Sequence, residues 1–365
     1  MTASGPERGA AAFERLCNRG LDLPDLRSAA LHQMRSLLSV DAAFFATVDP
    51  VTLLFTSALA EEPLTAATSL FLDNEFGRDD VNKFAHLATS LDPVATLDRA
   101  TRGERSQSAR YREVMAPLGL GDELRLALLS GGQCWGVLCL HREDGPLGFD
   151  ERDIRLLRRI APHLAGGLRR SVARAAITPD EPTATGPGII VLDADLSIVS
   201  INPQAERWLH DLADADWPAH LALPVPIHGA AVAARLSGNR PGADDIDADH
   251  TALVPPTTAT LRRAEGGWLT VHASPLSGAG GQQVAVVLDA ASPAQVSSVV
   301  LAAHGLTPAQ MRVAALVLQG RSTRHIVAEL HISAHTVQEH LHAVFDKFGI
   351  GSRRELVAAL SGRPR

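Results

Sequence analysis

His335, Gln338, Glu339, His342 and Asp346 recur at helical intervals and alternate with the apolar set Val337, Leu341, Val344, Phe345 and Phe348. One helix face is therefore polar and the opposite face apolar. The polar stripe has chemistry that matches base edges. A glutamine can pair bidentately with adenine, a carboxylate can accept from the cytosine amino group, and imidazoles can donate to purines or phosphates according to their protonation. On an isolated helix the same stripe is only a solvated surface. The elements around it decide between the two readings.

Those elements are punctuated throughout residues 306–360. Thr307 is an N-cap with Pro308 at the first helical position and Gln310 three residues on, and Gly320 supplies the stop. Ser322 caps a second helix bearing Ile326, Val327 and Leu330, and Ser333 caps the third, which Gly349 ends. Ser352 with Glu355 opens a short fourth helix bearing Leu356 and Leu360, followed by Gly362. Only a few residues around His331 and Ile332 separate the second helix from the third, the spacing that lets the second of two crossed helices meet a DNA groove.

This segment resembles the LuxR-type helix-turn-helix over its full length. The resemblance is carried by Leu306, Thr307, Pro308, Gly320, Ser322, Ile326 and Ser333, then by Thr336, Val337, His340, Leu341, Lys347, Gly349, Ser352 and Arg353. It implies that His335, Gln338, Glu339 and His342 face bases, that Thr336, Lys347, Ser352 and Arg353 approach phosphates, and that the fourth helix supports dimerisation. Ala309 and Gln310 replace the usual Arg and Glu, and Gln338 with Glu339 replaces a common Lys with Asn. Glu339 and Asp346 oppose phosphate. Phosphate attraction must then come mainly from Arg321, Arg324, Lys347, Arg353 and Arg354, with Ser322 beside them. Modest non-specific affinity is expected, with dimerisation or a favourable site making up the difference.

A formal net charge of −7 would ordinarily argue against nucleic acid. It hides an asymmetry: residues 301–365 carry eight Lys or Arg against four acids, and the remainder 26 basic against 37 acidic residues. An acidic body is thus joined to a module of net positive charge. Hydrophobic residues at 45% and charged residues at 21% indicate globular folding, and 365 residues allow two or three domains. No apolar run reaches the roughly 20 residues of a spanning helix, and the N-terminal MTASGPERGAAAFERLC lacks a signal-peptide core, so the expected location is the cytoplasm, without a membrane. Cys17, Cys134 and Cys139 are scattered, without a CxxC pair, and read as buried packing residues.

The body divides at ITPDEPTATGPG, residues 177–188, whose composition reads as a linker. Ahead of it, VDAAFFATVDPVTLLFTSAL turns at Asp49 and Pro50, and ELRLALLSGGQCWGVLCLHRE turns at Gly131 and Gly132, both hairpin signatures. A helix capped by Asp150 then places Ile154, Leu157, Ala161, Leu164, Leu168 and Val172 on one seam, with Pro162 expected to bend it or end its first half. The seam is expected on its own sheet rather than in a coiled coil. Through element order and the runs FFATVDPVTLLFTSA, GLGDELRLALLSGGQCWGVLCLHRE and APHLAGGLRR, residues 13–175 resemble a GAF domain of the kind found in actinobacterial regulators. Residues 187–292 open strand, Asp-rich turn, strand, then a helix from Asn202 and Pro203, and are similar to a PAS domain; the runs around Gly266 and Gly267 complete its sheet. His210 and His272 have no accompanying haem-ligand set and read as ordinary surface or core residues.

The fold expected is multidomain α+β: two antiparallel-sheet domains, GAF-like and PAS-like, followed by an all-α four-helix module at 300–365. The function expected is a one-component, sequence-specific transcription regulator, with double-stranded operator DNA as partner, a homodimeric state, contact with RNA polymerase, an unidentified small-molecule effector, and neither cofactor nor metal. Three alternatives stand beside it. A catalytic front is one, against which the sequence shows no GxSxG, P-loop, GxGxxG or HExxH motif and no paired Cys and His ligands. A phosphorylated receiver would need clustered acids after its first strand, and the N-terminus offers no such cluster. A protein-docking scaffold with a DNA-binding tail would bind a partner in place of a small ligand.

Overall fold

The computed structural model describes residues 5–145, 148–175, 186–212, 221, 223–237, 257–264, 266–278 and 281–360. Most of the linker at 177–188, and Gly362, lie outside the described residues. The first unit contains α1 (Gly5–Cys17), α2 (Leu23–Arg35), β1 (Ala42–Val48), β2 (Phe55–Ala60), α3 (Thr68–Gly77), α4 (Phe84–Thr89), β3 (Val94–Thr96), α5 (Leu97–Ala100), β4 (Leu120–Ser130), β5 (Gln133–Glu143) and α6 (Glu151–Ala175). Its strands form one antiparallel sheet in the order β2-β1-β5-β4-β3. Every residue of β1 is buried, as is nearly all of β4 and β5. Both faces are covered, which is why β1 reads as a continuous apolar run rather than as an alternation, while β4 buries the charged Asp122, Glu123 and Arg125 within it.

The two faces have different covers. Phe45, Leu126 and Leu138 meet α1, α2 and α6, while Phe44, Ala127 and Val137 meet Phe71 of α3 and Phe84 of α4. On α6, Ile154, Leu157, Ala161, Leu164 and Leu168 are buried in the core of their own sheet, where the seam was expected. Pro162 does not end the helix, which continues to Ala175. Ala161 before it and Leu164 after it are buried in the same core, and that burial outweighs one missing backbone hydrogen bond. Cys17, Cys134 and Cys139 are buried free thiols, and burial pushes Cys17 up to about 11.

The second unit contains β6 (Gly188–Leu192), β7 (Ile198–Ile201), α7 (Pro203–His210), α8 (Val225–Ser237), β8 (Thr258–Arg262), β9 (Trp268–Gly278) and β10 (Gly281–Ala290). Its antiparallel order, β7-β6-β10-β9-β8, repeats the strand order of the first sheet. Asn202 caps α7 by accepting from the Ala205 N–H at 2.8 Å, and Gly266 and Gly267 carry the β8–β9 turn at positive φ. His210 and His272 are surface residues, the latter bonded through Nδ1 to Thr258 Oγ1 at 2.8 Å.

Helix α8 joins the units. Val225 to Ala234 are all buried, because the helix lies between α3 on one side and β9 and β10 on the other. Gly229 meets the Phe76 ring, Arg235 pairs with Asp73 at 2.6 Å, and Ser69 Oγ lies 3.3 Å from His228 Nε2. Asp49 Oδ2 also accepts from the Thr260 N–H at 3.2 Å. One hydrophobic core therefore runs from Phe44 through Ile227 to Val271.

Between the first sheet and α3 and α4 lies a buried ionic network. Arg110 Nη2 donates to Glu123 Oε2 at 2.6 Å, Arg125 Nη2 to Glu75 Oε2 at 2.6 Å, and the Arg125 guanidinium carbon sits 3.8 Å from the centre of the Phe84 ring. Glu123, Cys139 and His141 bring a carboxylate, a thiol and an imidazole within 4.8 Å of one another. The set is ill suited to a cation: Arg125 Nε is 3.7 Å from Glu123 Oε1, Arg110 holds the other oxygen, and burial drives the Cys139 thiol up. Burial would raise the Glu123 carboxyl, but Arg110 and Arg125 outweigh it and hold the group at about 2. Burial lowers His141 to about 4.

Acid must then destabilise this unit in two steps. Unfolded His141 takes up a proton near its ordinary 6.5, and the folded imidazole only near 4, so stability falls as pH drops through that window. Glu123 adds a further loss from its ordinary 4.5 down to about 2. Thermal unfolding followed by calorimetry is expected to show a loss of roughly 1–3 kcal/mol between pH 6.5 and 4 that His141→Gln removes; an unaltered profile in the variant refutes a neutral buried His141. In the second unit a Cβ on Gly188 would lie 2.7 Å from Ala205 Cα, a backbone atom of α7. Gly188→Ala is expected to cost about 1–3 kcal/mol in urea unfolding, and a neutral result would show that α7 can shift on β6.

Candidate nucleic-acid interface

The C-terminal module consists of α10 (Pro308–Leu318), α11 (Thr323–Leu330), α12 (Ala334–Phe348) and α13 (Arg353–Leu360), preceded by α9 (Pro293–Ala303). Its ends are fixed locally. Thr307 and Gln310 form a reciprocal capping box, Ser322 accepts from the His325 N–H, and Ser333 accepts from the Thr336 N–H at 3.0 Å. Gly320 and Gly349 adopt positive φ after α10 and α12, and the next N–H returns to a helical carbonyl in each case, Arg321 to Leu316 at 3.0 Å and Ile350 to Phe345 at 3.0 Å. Between α11 and α12 the turn residue is His331, at φ 53° and ψ 41°. Histidine enters the left-handed region more readily than most side chains, so the turn needs no glycine.

Val313, Val317, Ile326, Val337, Leu341, Val344, Leu356 and Leu360 fill the module's core, together with Val300 and Leu301 of α9. Burying Val337, Leu341 and Val344 turns the opposite face of α12 outward. His335, Gln338, Glu339, His342 and Asp346 are all exposed there. His335 Nε2 lies 3.4 Å from Glu339 Oε1 across one helical turn, so the carboxylate already has a neighbour on its own face.

The residues assigned to phosphate divide into two groups. Arg321, Ser322, Arg324 and Arg354 are exposed at the surface of α11, α13 and the segment before α11. Lys347 is exposed but engaged: Nζ donates to the Gly305 carbonyl at 2.6 Å and to Gln310 Oε1 at 2.8 Å. Arg353, half-buried, donates to the Arg321 carbonyl at 2.7 Å and to Thr323 Oγ1 at 3.3 Å, tying α13 to the start of α11. Thr336 and Ser352 are half-buried, the first bonded to Ser333 Oγ at 2.9 Å and the second to Glu355 Oε1 at 2.9 Å. The other oxygen of Glu355 accepts from the Gly351 N–H at 3.0 Å, one residue ahead of the N–H that a regular capping box would use.

Sequence reasoning did not find the seat of this module on the first unit. Ala302 and Ala303 of α9 are buried in the core formed by α6 and the first sheet. Gln133 Nε2, at the β4–β5 hairpin, lies 3.8 Å from Met311 Sδ of α10. Gly305, at φ +72°, lies against Arg169 of α6, whose Nη1 would be 2.2 Å from a Cβ there. A positive-φ glycine just after a helix marks its end in any sequence; nothing in the string announces the arginine that covers it.

Residues 304–360 match the family model of bacterial regulatory proteins of the luxR family, and residues 22–168 match the GAF domain. No curated protein matches the sequence. Among solved structures the chain is similar to the E. coli DhaR(N)–DhaL complex, at 13% identity over 80% of this chain and 91% of that one, with a TM-score of 0.25. It is similar to the phage VqmA–DPO complex at 16% identity over 52% and 86%, TM-score 0.19. The Vibrio cholerae VqmA dimer, described among LuxR-type receptors, gives 15% identity over 48% and 82%, TM-score 0.18. Overlaps this loose carry no residue-level correspondence. The two matched families account for the first sheet unit and the C-terminal helices, and a chain that joins a GAF domain to a LuxR-family helix-turn-helix domain is a DNA-binding transcription regulator.

Proposed function

We propose that the chain is a cytoplasmic one-component regulator in which the GAF unit and a PAS-like second unit sense a small effector and control an operator-binding homodimer. The observation that carries this reading is the exposed stripe His335, Gln338, Glu339 and His342 on α12, set in a four-helix module that rests on the first unit through Ala302, Ala303, Met311 and Gly305. The stripe supplies base discrimination. Phosphate attraction comes from the exposed Arg321, Arg324 and Arg354, with the Lys347 ammonium adding its charge while two of its donors hold Gly305 and Gln310. The repeated strand order of the two sheets supports a PAS-like assignment for the second unit. A contact with RNA polymerase would follow operator binding, and a two-fold dimer would read half-sites about one helical turn apart.

Selection of duplexes from a random pool by the full chain tests the reading. Pseudopalindromic sites are expected, and Gln338→Ala is expected to relax preference at one base position per half-site by roughly tenfold, the lower part of the range for a bidentate pair. Arg354→Ala is expected to weaken all duplexes alike and to lower the slope of log affinity against log salt by about one per module. Arg354 is the cleaner probe than Arg353, since removing Arg353 also unties α13 from α11. If neither substitution alters binding, α12 is not the reading helix.

A further inference from the structure

A cavity of about 340 Å³ opens where the two sheet units and helix α9 come together. Its walls belong to parts of the chain that are far apart in sequence: Thr47, Asp49 and Thr56 from the β1–β2 hairpin, Trp135 of β5, Trp268 of β9 and Val299 of α9. The volume falls in the range of small-molecule sites. It lies at the margin of the first sheet, apart from the buried ionic network under α3 and α4.

The lining selects a class of ligand. The Trp135 indole N–H is committed to the Ser130 carbonyl at 3.0 Å, so that residue offers the cavity its ring. Trp268 and prolines of α2 and α8 add further apolar wall. Among the described residues the charged lining balances, Asp22 and Asp49 against Arg262 and Arg263, and much of it is spent inside the protein. Asp49 accepts from the N–H groups of Val51, Thr52 and Thr260, and Arg263 pairs with Asp211 at 2.6 Å. Among those residues an ionised ligand would find no net countercharge. Thr47 Oγ1 and Thr56 Oγ1, bonded to each other at 2.8 Å, supply hydroxyls that can reorient toward a guest.

We propose that this cavity is the effector site, taking a neutral, flat, largely apolar molecule that carries a hydroxyl or carbonyl group for the Thr47–Thr56 pair; the proposal rests on the sensor-regulator reading above. Val299 makes the site more than a void. It stands on α9 one turn ahead of Ala302 and Ala303, which seat that helix in the first unit's core, while Val300 and Leu301 belong to the core of the DNA-binding module. A guest pressing on Val299 bears on the helix that positions α12.

The probe is 2-naphthol, with 2-naphthoate as an anion on the same ring system, titrated calorimetrically into the full chain. Saturable binding of one 2-naphthol per chain is expected, at least tenfold tighter than 2-naphthoate. Thr56→Phe and Val299→Phe, which fill the cavity, are expected to weaken it at least tenfold; Thr56→Val, nearly isosteric, by about threefold, and this variant decides the matter if the larger ones do not fold. No saturable binding of 2-naphthol, equal or tighter binding of the anion, or unchanged affinity in the folded variants overturns the proposal. With a selected duplex, saturating 2-naphthol is expected to change affinity at least threefold in the wild type and not in Val299→Phe; no change in the wild type overturns the effector assignment. The titration contains no DNA, so a chain that takes up 2-naphthol but selects no duplex counts against the regulator reading, and one that selects duplexes but binds no probe counts against the cavity.

Discussion

Helix α8 has no solvent-facing side over Val225–Ala234, and a helix that is apolar all round is stable only when both of its sides are covered. The first unit covers one side with α3 and the second covers the other with its sheet. Neither unit can withdraw without exposing Ile227, Ala230 or Ala231 to water, and burial of this kind contributes about 25 cal/mol per Å². The joint core fixes the neighbouring geometry as well. It holds the β1–β2 hairpin against β8 through Asp49 and Thr260 and so forms the cavity beneath α9.

The C-terminal module is constrained differently. Its short helices are set by caps that are local in sequence, then locked by a small core in which α9 takes part. Because Val300 and Leu301 face that core while Ala302 and Ala303 face the first unit, α9 belongs to two hydrophobic cores at once. A change in the packing of one is felt by the other without any long-range pathway, since a single rigid helix is the shared element. Lys347 adds a polar tie, holding α12 to the α9–α10 turn through Gly305 and to the first turn of α10 through Gln310. Two of the three ammonium donors are engaged in that tie.

Legibility followed the range of the interactions. Hairpins turning at Asp49–Pro50 and Gly131–Gly132, the seam of α6 and the Asn202 cap are carried by neighbours within a few residues, and the structure has all of them. Helix α8 left no such trace: burial on every side erases the amphipathic period, and Pro224, Pro226 and Gly229 resemble loop punctuation. Pro162 misled in the opposite direction, because its local cost is real but smaller than the burial of the residues around it.

By itself the sequence determined the helix-turn-helix and its stripe, because caps, glycine stops and a three-to-four residue period are properties of a single segment. It also determined the polar identity of His335, Gln338, Glu339 and His342 along that stripe. Only the tertiary structure decided which of the basic residues are tied and to what, since the partners of Lys347 lie 37 and 42 residues away and those of Arg353 30 and 32. It alone decided that α9 joins two cores and closes a cavity. Contacts between distant segments depend on how whole faces pack, and no local pattern encodes which face a segment will meet.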